Sequence, residues 1–192
     1  AEGTPIGYDI RFDYRNFSHK YGHTADTDGN TENAFALGFD LFAPFNGNQR
    51  IGIAGNARYF YYTSPNKYSI LPIDNHFNGV LNPYYKIEGE NWHIRLGAKL
   101  MLVAGLEEWD GGKFYASPDV VADVTVAKHT VLYAKAGGEM HHNSMFDLSQ
   151  ANRYTSPSRG TSPSFNWLDA KVGIKSGVAA GFWFDLFAGY KQ

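Results

Sequence analysis

A chain of 192 residues with a formal net charge of −2 carries no basic field for nucleic acid and no polybasic patch for a membrane surface. It holds no cysteine, which removes a disulfide framework and any thiolate metal site. Aromatic residues make up 16 % of the chain and glycines number 21, a mixture suited to strands and turns. No apolar run approaches the roughly 18 residues of a transmembrane helix, but a membrane barrel needs only alternate residues to be apolar.

The chain opens AEGTPIGYDI, without an initiator Met or a signal peptide, and is expected to be a mature N-terminus or cut from something longer. Nine segments then alternate with period two, each predicted to be a strand. In 6–15, Ile6, Tyr8, Ile10, Phe12 and Tyr14 stand against Asp9, Arg11, Asp13 and Arg15. The second, 33–42, has Phe35, Leu37, Phe39 and Leu41 on its apolar side, and the third, 50–62, sets Ile51, Ile53 and Tyr59 against Arg50, Asn56 and Arg58. The fourth spans about 75–88. The fifth, about 91–103, sets Ile94, Leu96, Leu100 and Leu102 against His93, Arg95 and Lys99. The sixth, about 114–126, sets Val120, Val124 and Val126 against Asp119 and Asp123. In 131–142, Leu132, Ala134, Ala136 and Met140 oppose Tyr133, Lys135, Glu139 and His141. The last two, 165–176 and 181–191, place Asp169, Lys171, Lys175 and Asp185 on their polar sides. No segment has a helical period. Residues 1–192 read as one all-β domain: an antiparallel up-and-down meander of about nine to ten long strands forming a transmembrane β-barrel or part of one. KYSILPI, 67–73, is the candidate for a tenth strand.

The strands exceed the five or six residues usual in soluble sheets and suit the roughly nine to eleven of a tilted membrane strand. Connections alternate between short ones (APFNGNQ, GE, AKH, GVAA) and long polar ones, so one rim carries tight turns and the other long loops. Trp92, Trp109, Trp167, Trp183 and several tyrosines gather near strand ends, where aromatic girdles are expected.

The stretch FYASPDVVADVTVAKHTVLYAKAGGEMHHNSMFDL, 114–148, with NWHIRLGAKLML and FWFDLFAGYKQ in the same style, resembles bacterial outer-membrane β-barrels. It looks most like a portion of the barrel of TonB-dependent receptors: a strand with a Pro-Asp step, a short turn, then a strand running into a long loop. The resemblance implies a Gram-negative outer-membrane location and a role in nutrient uptake. It implies as partners a lipid bilayer, a small nutrient ligand and a periplasmic energising protein, with no cofactor. An odd strand count and an ending of Tyr190, Lys191 and Gln192 favour a piece of a larger barrel. A small complete barrel with a structural or adhesive role, and a soluble β-barrel or sandwich binding an apolar ligand, are the alternatives.

Candidate site residues are few. Asp26, Asp28 and Asn30 have an alternation that suits Ca²⁺, but Thr31 and Leu37 occupy the positions an EF-hand loop gives to Gly and Glu, so a solvated loop is expected. Glu139 and His141 are read on one polar face near the loop rim, with His142 opposite. Ser144, His141 and Asp147 make a triad only on paper, because triad members converge from separate segments, and no enzyme is expected. Trp109 in an acidic loop could stack against a sugar or peptide. Arg95 and Lys99 are expected to face a polar lumen, paired with carboxylates such as Asp119 and Asp123.

Overall fold

The computed structural model describes residues 6–19, 29–63, 74–154, 162–179 and 181–192. Nine strands follow one another: β1 (Gly7–Ser18), β2 (Thr31–Phe45), β3 (Gln49–Thr63), β4 (His76–Glu88), β5 (Trp92–Ala104), β6 (Lys113–Ala127), β7 (Thr130–His141), β8 (Ser164–Ala179) and β9 (Phe182–Lys191). A 3₁₀ turn, Glu107–Trp109, lies between β5 and β6, and one short helix, α1 (Met145–Ala151), lies between β7 and β8. The strands form a single sheet in chain order, each antiparallel to the next. They run from 10 residues in β9 to 16 in β8.

The meander is therefore as expected, and its closure is not seen. Among the described residues, β1 pairs only with β2 and β9 only with β8, so the sheet is open. The expected strand at 67–73 lies outside the described residues, as do Asp26 and Asp28. Asn30 is buried, and its carbonyl accepts the His19 N–H at 3.0 Å.

Burial is inverted between the two faces. The sheet curls, and its concave face carries the polar set. Glu32 and Asn78 are fully covered there, beside Met101 at 1 % exposure. The convex face carries the apolar set and leaves it bare, with Tyr8 at 73 %, Leu96 at 48 % and Leu186 at 68 % exposure. A soluble sheet normally does the reverse.

One strand breaks the alternation. The β7–β8 register shifts between Gly137 and Glu139. This bulge turns Met140 onto the concave side, 8 % exposed, and sends Glu139 and His141 to the convex side. The expected assignment of Glu139 and His141 to the polar face is corrected accordingly. Gly138 makes the bulge possible: a Cβ there would lie 2.6 Å from both the Ser117 Oγ and the Asn166 carbonyl. Its N–H donates to Ser117 Oγ at 3.1 Å, and its carbonyl accepts from Lys99 Nζ at 3.0 Å. A bulge in mid-strand at a glycine pair is the usual place for such a turn of face.

Candidate functional site

The concave face divides into two zones. At the long-loop rim, the two described inter-strand insertions fold inward. The turn at Glu107–Trp109 brings Leu106 and Trp109 onto Met101, Val103, Met140, Tyr115 and Phe165. Trp109 lies tilted against Phe165, ring centroids 6.1 Å apart, with Lys113 Nζ 4.4 Å from its ring centroid. The ring proposed for ligand stacking is thus packed into a cluster.

The second insertion is α1. Ser144 caps it: its Oγ accepts the Asp147 N–H at 3.2 Å, and the Asp147 carboxylate accepts the Ser144 N–H at 3.4 Å. Ser144 and Asp147 therefore serve the helix, while His141 faces the other way and meets Asn166 at 2.9 Å. The triad drawn from sequence is not brought together. Glu32, fully buried on β2, accepts the Met145 N–H at 2.6 Å and the Arg15 guanidinium at 3.1 Å. Arg15 also reaches Ser144 Oγ at 3.1 Å and Asp147 at 3.7 Å, and lies 4.0 Å over the Phe146 ring. Beneath the helix, Phe60, Tyr62, Ala34 and Met145 form an apolar patch.

His142, just past β7, closes this cluster. Its Nδ1 lies 2.9 Å from the Asn78 amide nitrogen and its ring 5.7 Å from Phe60. Burial, and after it the charge of Arg58, push its pKa down to about 4. The folded state thus binds fewer protons than the unfolded chain between the ordinary value of 6.5 and about 4. Stability from the neutral ring is complete above that window and is lost as pH falls through it. Protonation at Nδ1 would also set a donor against the Asn78 amide. Amide exchange over α1 should accelerate between pH 6.5 and 4, and His142→Gln should flatten that dependence.

Below the rim cluster, a polar ladder joins residues of five strands between β2 and β7, passing over β3. Tyr84 on β4 donates to Asp40 on β2 at 2.9 Å, and its ring lies 4.1 Å under the Arg95 guanidinium of β5. The ring fits because Gly52 leaves room: a Cβ there would meet it at 2.5 Å. Arg95 Nε reaches Asp119 of β6 at 3.3 Å, and the same carboxylate accepts from Asn82 at 2.7 Å. Lys99 Nζ stands 3.6 Å from Asp119 while donating to Gly138 of β7. Arg95 and Lys99 thus meet a neighbouring carboxylate as expected, and that carboxylate is Asp119. Asp123 pairs with His93 instead. Towards β9, Asp185 accepts from Tyr133 at 2.8 Å and faces Lys175 at 3.6 Å.

This surface holds fixed hydrogen-bonding groups and charges of both signs on the concave side. Among the described residues, no three His, Asp or Glu side chains are grouped to hold a metal ion. Sequence reasoning put Arg15 on a polar strand face and His142 on the face opposite Glu139 and His141, where the structure instead packs His142 against Asn78 and Phe60 of the concave cluster. It missed Glu32 and Asn78 as parts of that cluster. Only the Ser-x-x-Asp cap at 144–147 left a local signal for that cluster.

No protein-family model, no curated protein and no solved structure matches this chain.

Proposed function

We propose that this sheet is wall of a bacterial outer-membrane barrel like that of the TonB-dependent receptors, serving uptake of a small nutrient. The observation that carries the reading is the inverted burial. Ile10, Phe12, Leu41, Ile51, Leu96 and Leu186 are exposed on the convex face, and the charged side chains line the covered one. An apolar face of this extent in water is an aggregation surface, whereas in a bilayer it meets acyl chains. Strands of 10 to 16 residues are long enough to cross the hydrocarbon layer at a tilt.

In this reading the Asp40–Tyr84–Arg95–Asp119 ladder stiffens the lumen wall. The mixture of signs favours a polar ligand over bulk selection of anions or cations. The inward-folded turn at Trp109 and helix α1 narrow the lumen at the long-loop rim, so passage there needs them to move. Glu139 and His141 lie at the lipid side of that rim and have no part in the lumen.

Refolding tests the reading. The chain should enter phosphatidylcholine vesicles as a protease-resistant, β-rich species and should precipitate when detergent is diluted away. A monomeric, well-folded chain in plain buffer would overturn it and would favour a soluble sheet with an apolar ligand.

A further inference from the structure

The two edges of the sheet, β1 and β9, run the same way, from the short-turn rim to the long-loop rim. Direct pairing of one with the other would make a parallel ladder in a sheet whose other ladders are all antiparallel. An odd number of strands between them keeps the alternation.

The concave side chains of β1 state what a neighbour must carry. From the short-turn rim they read Asp9, Arg11, Asp13 and Arg15. β2 answers them in register with Asp40, Gly38, Ala36 and Ala34. Asp9 therefore stands opposite another carboxylate, an arrangement that destabilises a strand pair. Arg11 and Asp13 face residues with no charge. Arg11 turns back along its own strand to Asp9 at 2.8 Å, and Asp13 has no ion pair among the described residues. Only Arg15 is engaged inward, by Glu32 and Asp147. Asp9, Arg11, Asp13 and Asp40 line one concavity of about 390 Å³, with two more acids than bases in that set of four.

We propose that the free edge of β1 is the docking site for an antiparallel transmembrane strand. That strand is apolar on its convex side and carries Lys or Arg opposite Asp9 and Asp13, and Asp or Glu opposite Arg11. Its bases relieve the facing Asp9 and Asp40 carboxylates, and its acid takes Arg11 from the strand it now folds back upon. A second copy of β1, centred on Phe12, would also set Asp9 against Arg15 and Arg11 against Asp13. It would, however, turn the long loops of that copy to the opposite rim, against a single direction of membrane insertion. The choice of occupant thus rests on the membrane reading, and the charge pattern does not.

The test uses the whole chain folded in detergent micelles and two fluorescent ten-residue strand peptides with the same alternating Ile, Phe and Val. One peptide carries Arg opposite Asp9 and Asp13 and Asp opposite Arg11; the other carries the inverse. The complementary peptide should bind at least tenfold tighter by fluorescence anisotropy. The combined variant Asp9→Arg, Arg11→Asp, Asp13→Arg should reverse the preference. Equal binding of the two peptides by the unaltered chain overturns the proposal, even if the variant fails to fold. A disulfide-linked homodimer of Phe12→Cys gives the edge to a second copy and overturns it. So does an intrachain disulfide between Phe12→Cys and Ala188→Cys, which shows direct closure on β9. Equal peptide binding by a vesicle-inserted chain removes this proposal alone; a chain folded in plain buffer removes the membrane reading, and the peptide comparison is then run there.

Discussion

Leu96→Arg should cost about 2–4 kcal/mol of folding stability in vesicles, the penalty for an arginine on the lipid face near the bilayer midplane. Leu96 lies in the middle of β5 on the convex face, between Tyr85 of β4 and Val120 of β6. It is half exposed. If water covered that face, the same substitution at so open a position would change stability by roughly 0.5 kcal/mol or less. The two environments therefore predict effects several-fold apart from one residue. Lys99→Ala is the matched control on the other face of the same strand. It removes an ammonium 3.6 Å from Asp119 and a hydrogen bond to Gly138, but Asn82 and Arg95 still hold that carboxylate. Lys99→Ala should thus cost clearly less than Leu96→Arg in urea titrations of vesicle-refolded protein. Small, equal effects would remove the membrane assignment.

Glu32→Ala should release α1 from the concave face. The carboxylate is fully buried and accepts both the Met145 N–H and the Arg15 guanidinium. Removing it strands a buried N–H and takes the main partner from a partly buried cation. Breaking such a pair from one side costs about 3–5 kcal/mol. The lower end is expected here, because Arg15 keeps Asp147 at 3.7 Å and some contact with solvent. Hydrogen exchange over 145–151 should rise by about two orders of magnitude while the amides of β5 and β6 stay protected. Glu32→Gln keeps an acceptor for Met145 and should fall between the two. Unchanged protection of α1 in Glu32→Ala would show that the apolar contacts of Met145 and Phe146 hold the helix by themselves.

The strands were legible because each writes its own pattern locally. Leu96 beside Arg95, or Val120 beside Asp119, declares a two-sided strand without knowledge of the rest of the chain. The Arg95–Lys99–Asp119 group followed from the same alternation, since adjacent antiparallel strands at like height bring these residues together. The partner of Asp123 did not follow, because it depends on register: His93 is opposite Asp123, while Arg95 is opposite Val121. The face of Glu139 and His141 was misread because the ladder slips by one at Gly138, where Trp167 and Leu168 of β8 stand against a single β7 residue. The sides of Glu139 and His141 change after it, and alternation carries no mark of such a slip. The glycine pair at 137–138 was the available sign. Helix α1 has too few residues for a helical period to emerge, and its anchor, Glu32, lies 113 residues away from Met145. Nothing local to either segment announces that meeting.

That separation has a kinetic consequence. Every ladder in the sheet joins strands that follow one another in the chain, so each can form as a hairpin at modest entropic expense. The contacts of α1 with Arg15 and Glu32 span 129 and 113 residues and can form only after the intervening strands have brought the two ends together. Helix docking is therefore expected to follow the rate-limiting arrangement, which folding and unfolding rates of Glu32→Ala would check. Weakening it should leave the rate of sheet formation nearly untouched and appear almost wholly as faster unfolding. In that light α1 is a retention device: it sets how long the assembled wall lasts and has little influence on how quickly it is built.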